Sequence, residues 1–398
     1  MSDRISPIQK ILFGSPGTGK SYHIRTIATE QLGIEFDTER KILKNTVKTV
    51  FHPEYTYADF MGKLLPLTQG NSVIYKFYPG HFLRSLGMAY RGLIDGNGEN
   101  YLLAIDELNR GNAAAIFGTM FQLLDRESDG WSSYEVDISE MELIGLLNAM
   151  GFKPKVQENG IVMIENAKKS LDSLDVFCEN LGNHLQRKNK NNQDGLRVVN
   201  LLNNYKIKIP FNFSIVATIN TSDESIYYLD SAFKRRWDWQ YFEAPSASMQ
   251  LSEVPTKVQG KFLEVDNRFL EWYVCIIGLN EFIKSHYKTI RKVEDKQIGW
   301  WFVTNLRGNR ISIQKIKDKL MFYLWDNVFS RDKRPLEKFL MSILKTENLC
   351  LPTYASFLNY TVEFTKGMYN YGYQTIENNG NEIDESSTES IEGDDIPF

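Results

Sequence analysis

The chain has 398 residues, enough for two domains or for one domain with an insertion and a lid, and its 42% hydrophobic and 24% charged residues are the composition of a globular protein. No apolar run approaches the ~20 residues a membrane span needs and the first ten residues hold no apolar signal region, so a membrane partner is excluded and a cytoplasmic location expected. Eight carboxylates and no Lys or Arg lie in residues 377–398, so removing their charge from the total of −4 leaves +4 for the rest, a balance that tolerates phosphates or nucleic acid without demanding either.

In chain order, the apolar run Ile11-Leu12-Phe13 predicts a strand and Tyr22 to Leu32 a helix. Between them lies Gly14-Ser15-Pro16-Gly17-Thr18-Gly19-Lys20-Ser21, the spacing of a phosphate-binding P-loop. Glycines there let backbone N–H groups turn inward toward a phosphate, the following helix adds the positive end of its dipole, Lys20 reaches the β- and γ-phosphates, and Ser21 is placed to ligate Mg²⁺. Val47 to Phe51 reads as a second strand, and the aromatic segment Phe51 to Gly62 after it is compatible with plain core packing. Pro79 to Arg91 reads as a helix with Phe82, Leu86 and Tyr90 on one face.

Tyr101 to Ile105 is continuously apolar, as in a strand buried on both faces, and it ends in Asp106-Glu107. Beside a P-loop, an acid at such a tip holds Mg²⁺ and a second polarises the attacking water, roles expected of Asp106 and Glu107, although an Asp there also suits a helix cap. A helix is expected from Ala113 to Asp125. The next strand, Phe213 to Thr218, runs into Ile219-Asn220-Thr221-Ser222-Asp223, where Asn220 can hydrogen-bond the water or the γ-phosphate. Ile226 to Arg236 reads as a helix ending in Lys234-Arg235-Arg236. Basic residues suit a helix C-terminus, and Arg235 and Arg236 are also candidates for an arginine finger reaching a neighbouring subunit's nucleotide.

The separation Ser128 to Tyr205 exceeds any hairpin and predicts an inserted α/β module: a helix from Ser139 to Met150, a hairpin from Phe152 to Glu165 turning at Glu158-Asn159-Gly160, and a helix from Lys168 to Leu181. Lys153, Lys155, Arg187, Lys188 and Lys190 could meet DNA or simply be solvated. From Pro245 onward helices are expected to dominate, with Phe269 to Tyr287 as one and Ile313, Ile316, Leu320, Leu324 and Val328 as the stripe of another. Cys178, Cys275 and Cys350 are too far apart for a disulfide framework or zinc site and are expected in the core. Glu377 to Phe398 is too polar to pack and is expected to be disordered.

Together these stretches resemble the AAA+ motors of the McrB family, the GTP-using subunit of modification-dependent restriction systems. The matching pieces are Gly14 to Ser21, Phe51-His52-Pro53-Glu54-Tyr55-Thr56-Tyr57-Ala58-Asp59-Phe60, Ile105-Asp106-Glu107-Leu108-Asn109-Arg110-Gly111-Asn112, Ile219 to Asp223, Asp230 to Trp237 and Gln297-Ile298-Gly299-Trp300-Trp301-Phe302. Family members commonly carry an Arg where this chain has Glu224 and a His where it has Trp300. They also carry a DNA-reading domain ahead of a P-loop that here begins at residue 14, so the resemblance implies a form without one. It implies an α/β fold with a parallel-sheet AAA+ P-loop NTPase core at 1–127 and 206–244, an inserted module at 128–205, an α-helical lid at 245–376 and an acidic tail at 377–398.

The implied activity is GTP hydrolysis, with ATP as the alternative, using Mg²⁺ held by Ser21 and Asp106 and catalytic groups Glu107, Asn220, Asp223, Arg235 and Arg236. The implied assembly is a homo-oligomeric ring, a hexamer, that powers a McrC-type nuclease subunit in antiviral restriction and meets DNA through it. An ATP-using remodeller of the MoxR-like kind and a nucleotide-gated scaffold are the alternatives. The terminal Gly393-Asp394-Asp395-Ile396-Pro397-Phe398 resembles the tip of bacterial single-stranded-DNA-binding proteins, which implies a partner with an apolar pocket rimmed by basic residues.

Overall fold

The computed structural model describes residues 4–70, 72–157, 161–166, 169–188, 192–221, 227–304 and 308–379. The expected tail from residue 380 and the hairpin turn at 158–160 therefore lie outside the described residues. By contacts the chain divides into two units, Met1–Leu12 with Ser21–Ile219 and Asp223–Gln240, and Phe13–Lys20 with Asn220–Ser222 and Tyr241–Phe398.

The first unit is built on strands and helices that alternate along the chain. These are β1 (Gln9–Gly14), α1 (Lys20–Thr26), β2 (Thr46–Val50), α2 (Tyr57–Met61), β3 (Gly62–Gln69), β4 (Ser72–Pro79), α3 (His81–Asp95), β5 (Tyr101–Asp106) and α4 (Ala113–Phe117). The insertion then contributes α5 (Glu140–Ala149), β6 (Pro154–Val156), β7 (Val162–Glu165), β8 (Leu171–Ser173), α6 (Leu174–Lys188) and α7 (Gln193–Asn203). It closes with β9 (Phe213–Asn220), the single turn α8 (Ser231–Lys234) and β10 (Asp238–Phe242).

Five strands form one sheet in the order β10-β1-β9-β5-β2. β5 pairs parallel with β9 from Tyr101↔Phe213 to Ile105↔Ala217 and with β2 from Leu102↔Thr46 to Asp106↔Val50. Leu102, Leu103, Ile105, Ile215, Val216 and Ala217 are all fully buried, as near-continuous apolar runs must be in a parallel sheet covered on both faces. This is the expected α/β P-loop arrangement with a parallel sheet: the loop leaves the C-terminal end of β1, an interior strand, and ligands of open α/β sheets sit beyond such ends.

Several elements differ in detail. The helix expected over Ala113–Asp125 stops at Phe117 and continues as a tighter 3₁₀ turn from Gly118 to Leu124, because Gly118 takes φ +50° against the Tyr57 ring. In the insertion, β7 pairs antiparallel with both β6 and β8, so the expected hairpin gains a third strand and the second helix begins at Leu174 instead of Lys168. A short antiparallel pair, Val136–Asp137 with Lys206–Ile207, joins the two ends of the insertion. The hairpin β3–β4 answers to no sequence expectation.

The second unit is less purely helical than expected. A sheet of β11 (Phe262–Val265), β12 (Arg268–Glu271) and β13 (Arg310–Ser312) stands at its start, and the helix expected from Phe269 begins only at Trp272, as α9 (Trp272–Ser285). Asp266 and Asn267 both take positive φ, 46° and 60°, the conformation that a two-residue hairpin turn requires and that Asp and Asn tolerate best. Ile316, Leu320, Leu324 and Val328 lie on a buried face as predicted. Their strict four-residue repeat outruns a 3.6-residue turn, and the wider π turns over Ile316–Met321 and Leu324–Val328 keep the stripe from drifting. Among the cysteines, Cys178 and Cys275 are buried as expected, whereas Cys350 is exposed.

The later helices are α10 (Arg334–Leu344) and α11 (Thr361–Asn378), the second running two residues into the expected tail. α9 and α11 cross through glycine: a Cβ on Gly278 would collide with the Met368 carbonyl oxygen and lie 2.7 Å from the Gly372 nitrogen. Two helix backbones can approach this closely only where neither carries a side chain. Gly278→Ala is therefore expected to destabilise this unit by about 1–3 kcal/mol, as overpacked cores do. Urea unfolding of the variant against wild type measures it, and an unchanged midpoint would contradict the crossing.

Candidate active site

Within the second unit the P-loop is a turn with no room for side chains. Gly14, Gly17 and Gly19 take φ of 144°, 77° and 95°, and a Cβ on Gly14 would strike the Phe242 carbonyl oxygen while one on Gly17 would lie 2.6 Å from the Phe302 nitrogen. Thr18 Oγ1 donates to the Ser15 carbonyl at 2.9 Å, tightening the turn. Lys20 is 6% exposed, and its ammonium donates to the carbonyls of Gly14 and Ser15 at 2.9 and 2.8 Å, so the cation sits inside the loop it belongs to.

The segment Gln297–Phe302 lies directly on this loop. Gly299 N–H donates to the Pro16 carbonyl at 2.8 Å and Trp301 N–H to the Gly17 carbonyl at 2.9 Å. A side chain at 299 would collide with the Gly17 carbonyl, so the contact is backbone on backbone. Trp301 carries its indole into van der Waals range of Gly19, and Lys261 Nζ lies 4.4 Å from the indole centroid, its pKa lowered by burial.

Three side chains absent from the sequence reading hold this segment. Asn280, fully buried on α9, accepts from Ile298 N–H at 2.9 Å and donates to the carbonyls of Ile298 and Pro245, both at 2.9 Å. Trp272 Nε1 donates to the Trp300 carbonyl at 3.1 Å, and Tyr323 O–H to that of Lys296 at 3.3 Å. Ser15 Oγ donates to the Glu294 carbonyl at 2.7 Å, a further tie between loop and lid segment. An isolated Asn in an apolar helix was the available signal for Asn280.

Within the first unit Asp106 is the hub. Its Oδ1 accepts from Ser21 Oγ at 3.1 Å and from Thr218 Oγ1 at 2.9 Å, and Glu107 N–H donates to Thr218 Oγ1 at 3.3 Å. Asp106 thus pairs with Ser21, as the metal assignment needs, and does not act as a simple helix cap. Thr218, on β9, is the member that sequence reasoning missed. A hydroxyl and a carboxylate at this separation supply the hard oxygen donors Mg²⁺ takes while it keeps several waters. Glu107 itself has φ +56°, unusual for a residue with a Cβ and of the kind that accumulates at functional sites.

The remaining expectations fall out unevenly. Asn220 is the final residue of β9, and Asp223 and Glu224 lie outside the described residues. The two arginines part company. Arg236 donates to Asp125 Oδ2 at 2.6 Å and to the Ala232 carbonyl at 2.8 Å, with its guanidinium 4.0 Å over the Phe121 ring and its side chain 9% exposed. Its guanidinium is engaged within its own subunit. Arg235 is exposed, its side chain makes no hydrogen bond or ion pair among the described residues, and it lines an open cleft of about 580 Å³ with Asp125, Arg126 and Asp238.

The aromatic segment from Phe51 is core. Phe51 and Phe60 are fully buried, Phe51 stacks on Tyr55 at 4.7 Å, and Tyr55 O–H lies 2.8 Å from His81 Nδ1, its pKa pushed by burial to about 12. In the insertion, Lys153 and Lys155 both pair with the single Glu165 carboxylate, at 3.4 and 3.0 Å, which offsets one of the five positive charges considered for DNA. Among the described residues no helix is long and apolar enough to cross a membrane, and no group of three His, Cys, Asp or Glu could by itself hold a metal.

No family model matches the chain. It is similar to the type II restriction enzyme BsuMI component YdiS of Bacillus subtilis (strain 168), 27% identical over 352 residues that cover 83% of this chain and 81% of that one. It is also similar to the type IV methyl-directed restriction enzyme EcoKMcrB subunit of Escherichia coli (strain K12), 29% identical over 124 residues, 31% of this chain and 24% of that one. Among solved structures, a Cytophaga hutchinsonii chain described as an ATPase overlaps 71% of this chain and 58% of itself at 11% identity, with a TM-score of 0.25, too slight to bear on the fold. The resemblance to McrB-type restriction subunits stands.

Asn280→Ala strands the Ile298 amide and two carbonyls in an apolar interior, and is expected to cost about 1–3 kcal/mol. Its urea midpoint should fall and its tryptophan emission shift to the red as Trp300 and Trp301 loosen. A variant with unshifted emission would remove Asn280 from this role.

Proposed function

We propose that the chain is the nucleotide-hydrolysing motor subunit of a restriction system, converting GTP, or ATP as the alternative, within a homo-oligomeric ring of six that drives a McrC-type nuclease along DNA. The observation that carries this reading is the bond from Ser21 to Asp106. It ties the residue that closes the P-loop motif to the acid at a buried strand tip, the donor pair a magnesium triphosphate requires.

In this reading Gly14 to Lys20 hold the phosphates by backbone N–H groups and the Lys20 ammonium, which exchanges its carbonyl partners for phosphate oxygens. Bound there, Mg²⁺ would neutralise charge building on the β- and γ-oxygens, with Ser21 and Asp106 as its protein donors. Glu107 orients and polarises the attacking water, and Asn220 and Asp223 sense the γ-phosphate from the end of β9. Arg235, whose side chain has no hydrogen-bond or ion-pair partner among the described residues, serves the neighbour's nucleotide, whereas Arg236 braces α8 through Asp125. The reading assigns the insertion to 128–205, the lid to 245–376 and the acidic tail to 377–398. The tail tip recruits a protein with a pocket for such tips, and deleting Ile396 to Phe398 should abolish that binding while leaving hydrolysis intact.

Hydrolysis of GTP and of ATP, each with and without a McrC-type subunit, tests the reading directly: GTP turnover raised by the partner supports it, and ATP turnover indifferent to that partner favours a protein remodeller. Arg235→Ala is expected to lower kcat by about 10³-fold, the lower end of what arginine fingers contribute, with thermal stability unchanged. Arg236→Ala should instead lower stability by about 1–3 kcal/mol, the cost of leaving Asp125 without its partner. Equal loss of rate in both without loss of stability would refute the division of labour. Glu107→Gln should stop turnover while nucleotide is still retained, and surviving turnover would remove Glu107 from the chemistry.

A further inference from the structure

The hairpin β3–β4 is two strands of eight residues paired throughout from Gly62↔Pro79 to Gln69↔Ser72, a ribbon roughly 25 Å long at strand rise. Its root is rigid. Gly80 N–H donates to the Met61 carbonyl at 2.9 Å, a Cβ on Gly62 would enter the Phe77 ring, and Phe77 in turn packs against Gly145 of α5. Beyond that root the ribbon is bare on both sides. One face presents Leu64, Tyr75 and Val73, which are 48%, 67% and 61% exposed. The other presents Leu65, Leu67, Ile74 and Tyr78, 39%, 41%, 41% and 37% exposed.

A two-stranded ribbon is marginal in water by itself, and one that exposes apolar side chains on both faces has no inward side to repay its ordering. Both faces must therefore be covered in the working form, and they differ in charge. The second face carries Lys63 and Lys76, the first no charge at all. Pairing the second face with itself would bring ammonium groups together, and pairing the first with itself would leave the second uncovered. Laying the first face of one copy on the second face of the next satisfies both, with the lysine stems running along apolar surface and their heads in water. Repeated head to tail, that contact closes into a ring in which every copy has two neighbours.

We propose that β3–β4 is a subunit-to-subunit contact in which each ribbon is sandwiched between the ribbons of its two neighbours. The proposal rests on the ring reading above and gives it a specific interface.

Sedimentation of the full chain with Mg²⁺ and GTP or ATP tests it, using Val73→Lys with Tyr75→Lys to spoil one face and Leu67→Lys with Ile74→Thr to spoil the other. These positions are exposed, so both variants should keep the wild-type melting point and nucleotide binding. Each alone is expected to need at least about ten-fold more protein to assemble, and at concentrations where neither assembles alone the two mixed should give a 1:1 dimer, since one intact pair of faces remains. Variants that form wild-type rings would overturn the contact while leaving the ring reading in place. Homodimers of either variant would show same-face pairing and overturn it too. Rings of normal size that no longer respond to a McrC-type subunit would assign the ribbon to that partner instead. A wild-type chain that stays monomeric with either nucleotide would fail the ring reading and the contact with it.

Discussion

One carboxylate oxygen organises the first unit. Asp106 Oδ1 accepts two hydroxyl groups, Ser21 from the start of α1 and Thr218 from β9, while the Asp106 carbonyl accepts from Phe51 N–H just past the end of β2. Hydrogen bonds to a charged group contribute about 1.5–3 kcal/mol each and one to a backbone carbonyl about 0.5–1.5 kcal/mol, and together these bonds tie the three elements at this point. β5 can afford such a polar tip because the rest of it, Tyr101 to Ile105, is buried hydrocarbon that locks the strand between β9 and β2. A shift of one residue in β5 would replace Asp106 with Ile105 or Glu107 and turn every side chain to the opposite face.

Much of this was legible from residue order because the informative features are local. A glycine spacing, an apolar run ending in two acids and a second run ending in Asn-Thr are each readable inside ten residues, and they place β1, β5 and β9 without knowledge of the sheet. What escaped was set by partners distant in sequence. Thr218 looks like any strand threonine until β9 is laid against β5. Arg235 and Arg236 are indistinguishable in a basic helix end, and Asp125, a hundred residues earlier, separates them. The β11–β12 hairpin was masked by the apolar stretch that follows it, although Asp266-Asn267 between alternating apolar residues carried the signal.

The second unit shows a different economy, in which closeness is reached by leaving side chains out. Gly17 meets Gly299 and Gly278 meets Gly372, and in both pairs the two main chains touch with nothing between. Such contacts have no hydrophobic signature, since a glycine contributes no apolar surface to a pattern. The lid segment reaches the loop through the amides of Gly299 and Trp301, while the Trp300 side chain between them is buried in the hydrophobic core of this unit.

Pro66 stands in the middle of β3, opposite Tyr75, and it is the reason the segment does not read as a strand. A protomer on its own displays an apolar ribbon with two open edges, the kind of surface on which foreign chains add strand by strand into insoluble aggregates. Pro66 lacks the amide such growth would use, and Lys63 and Lys76 put charge beside it. The residue that hides the hairpin from a reader of the sequence also breaks the run of amides along which such growth proceeds.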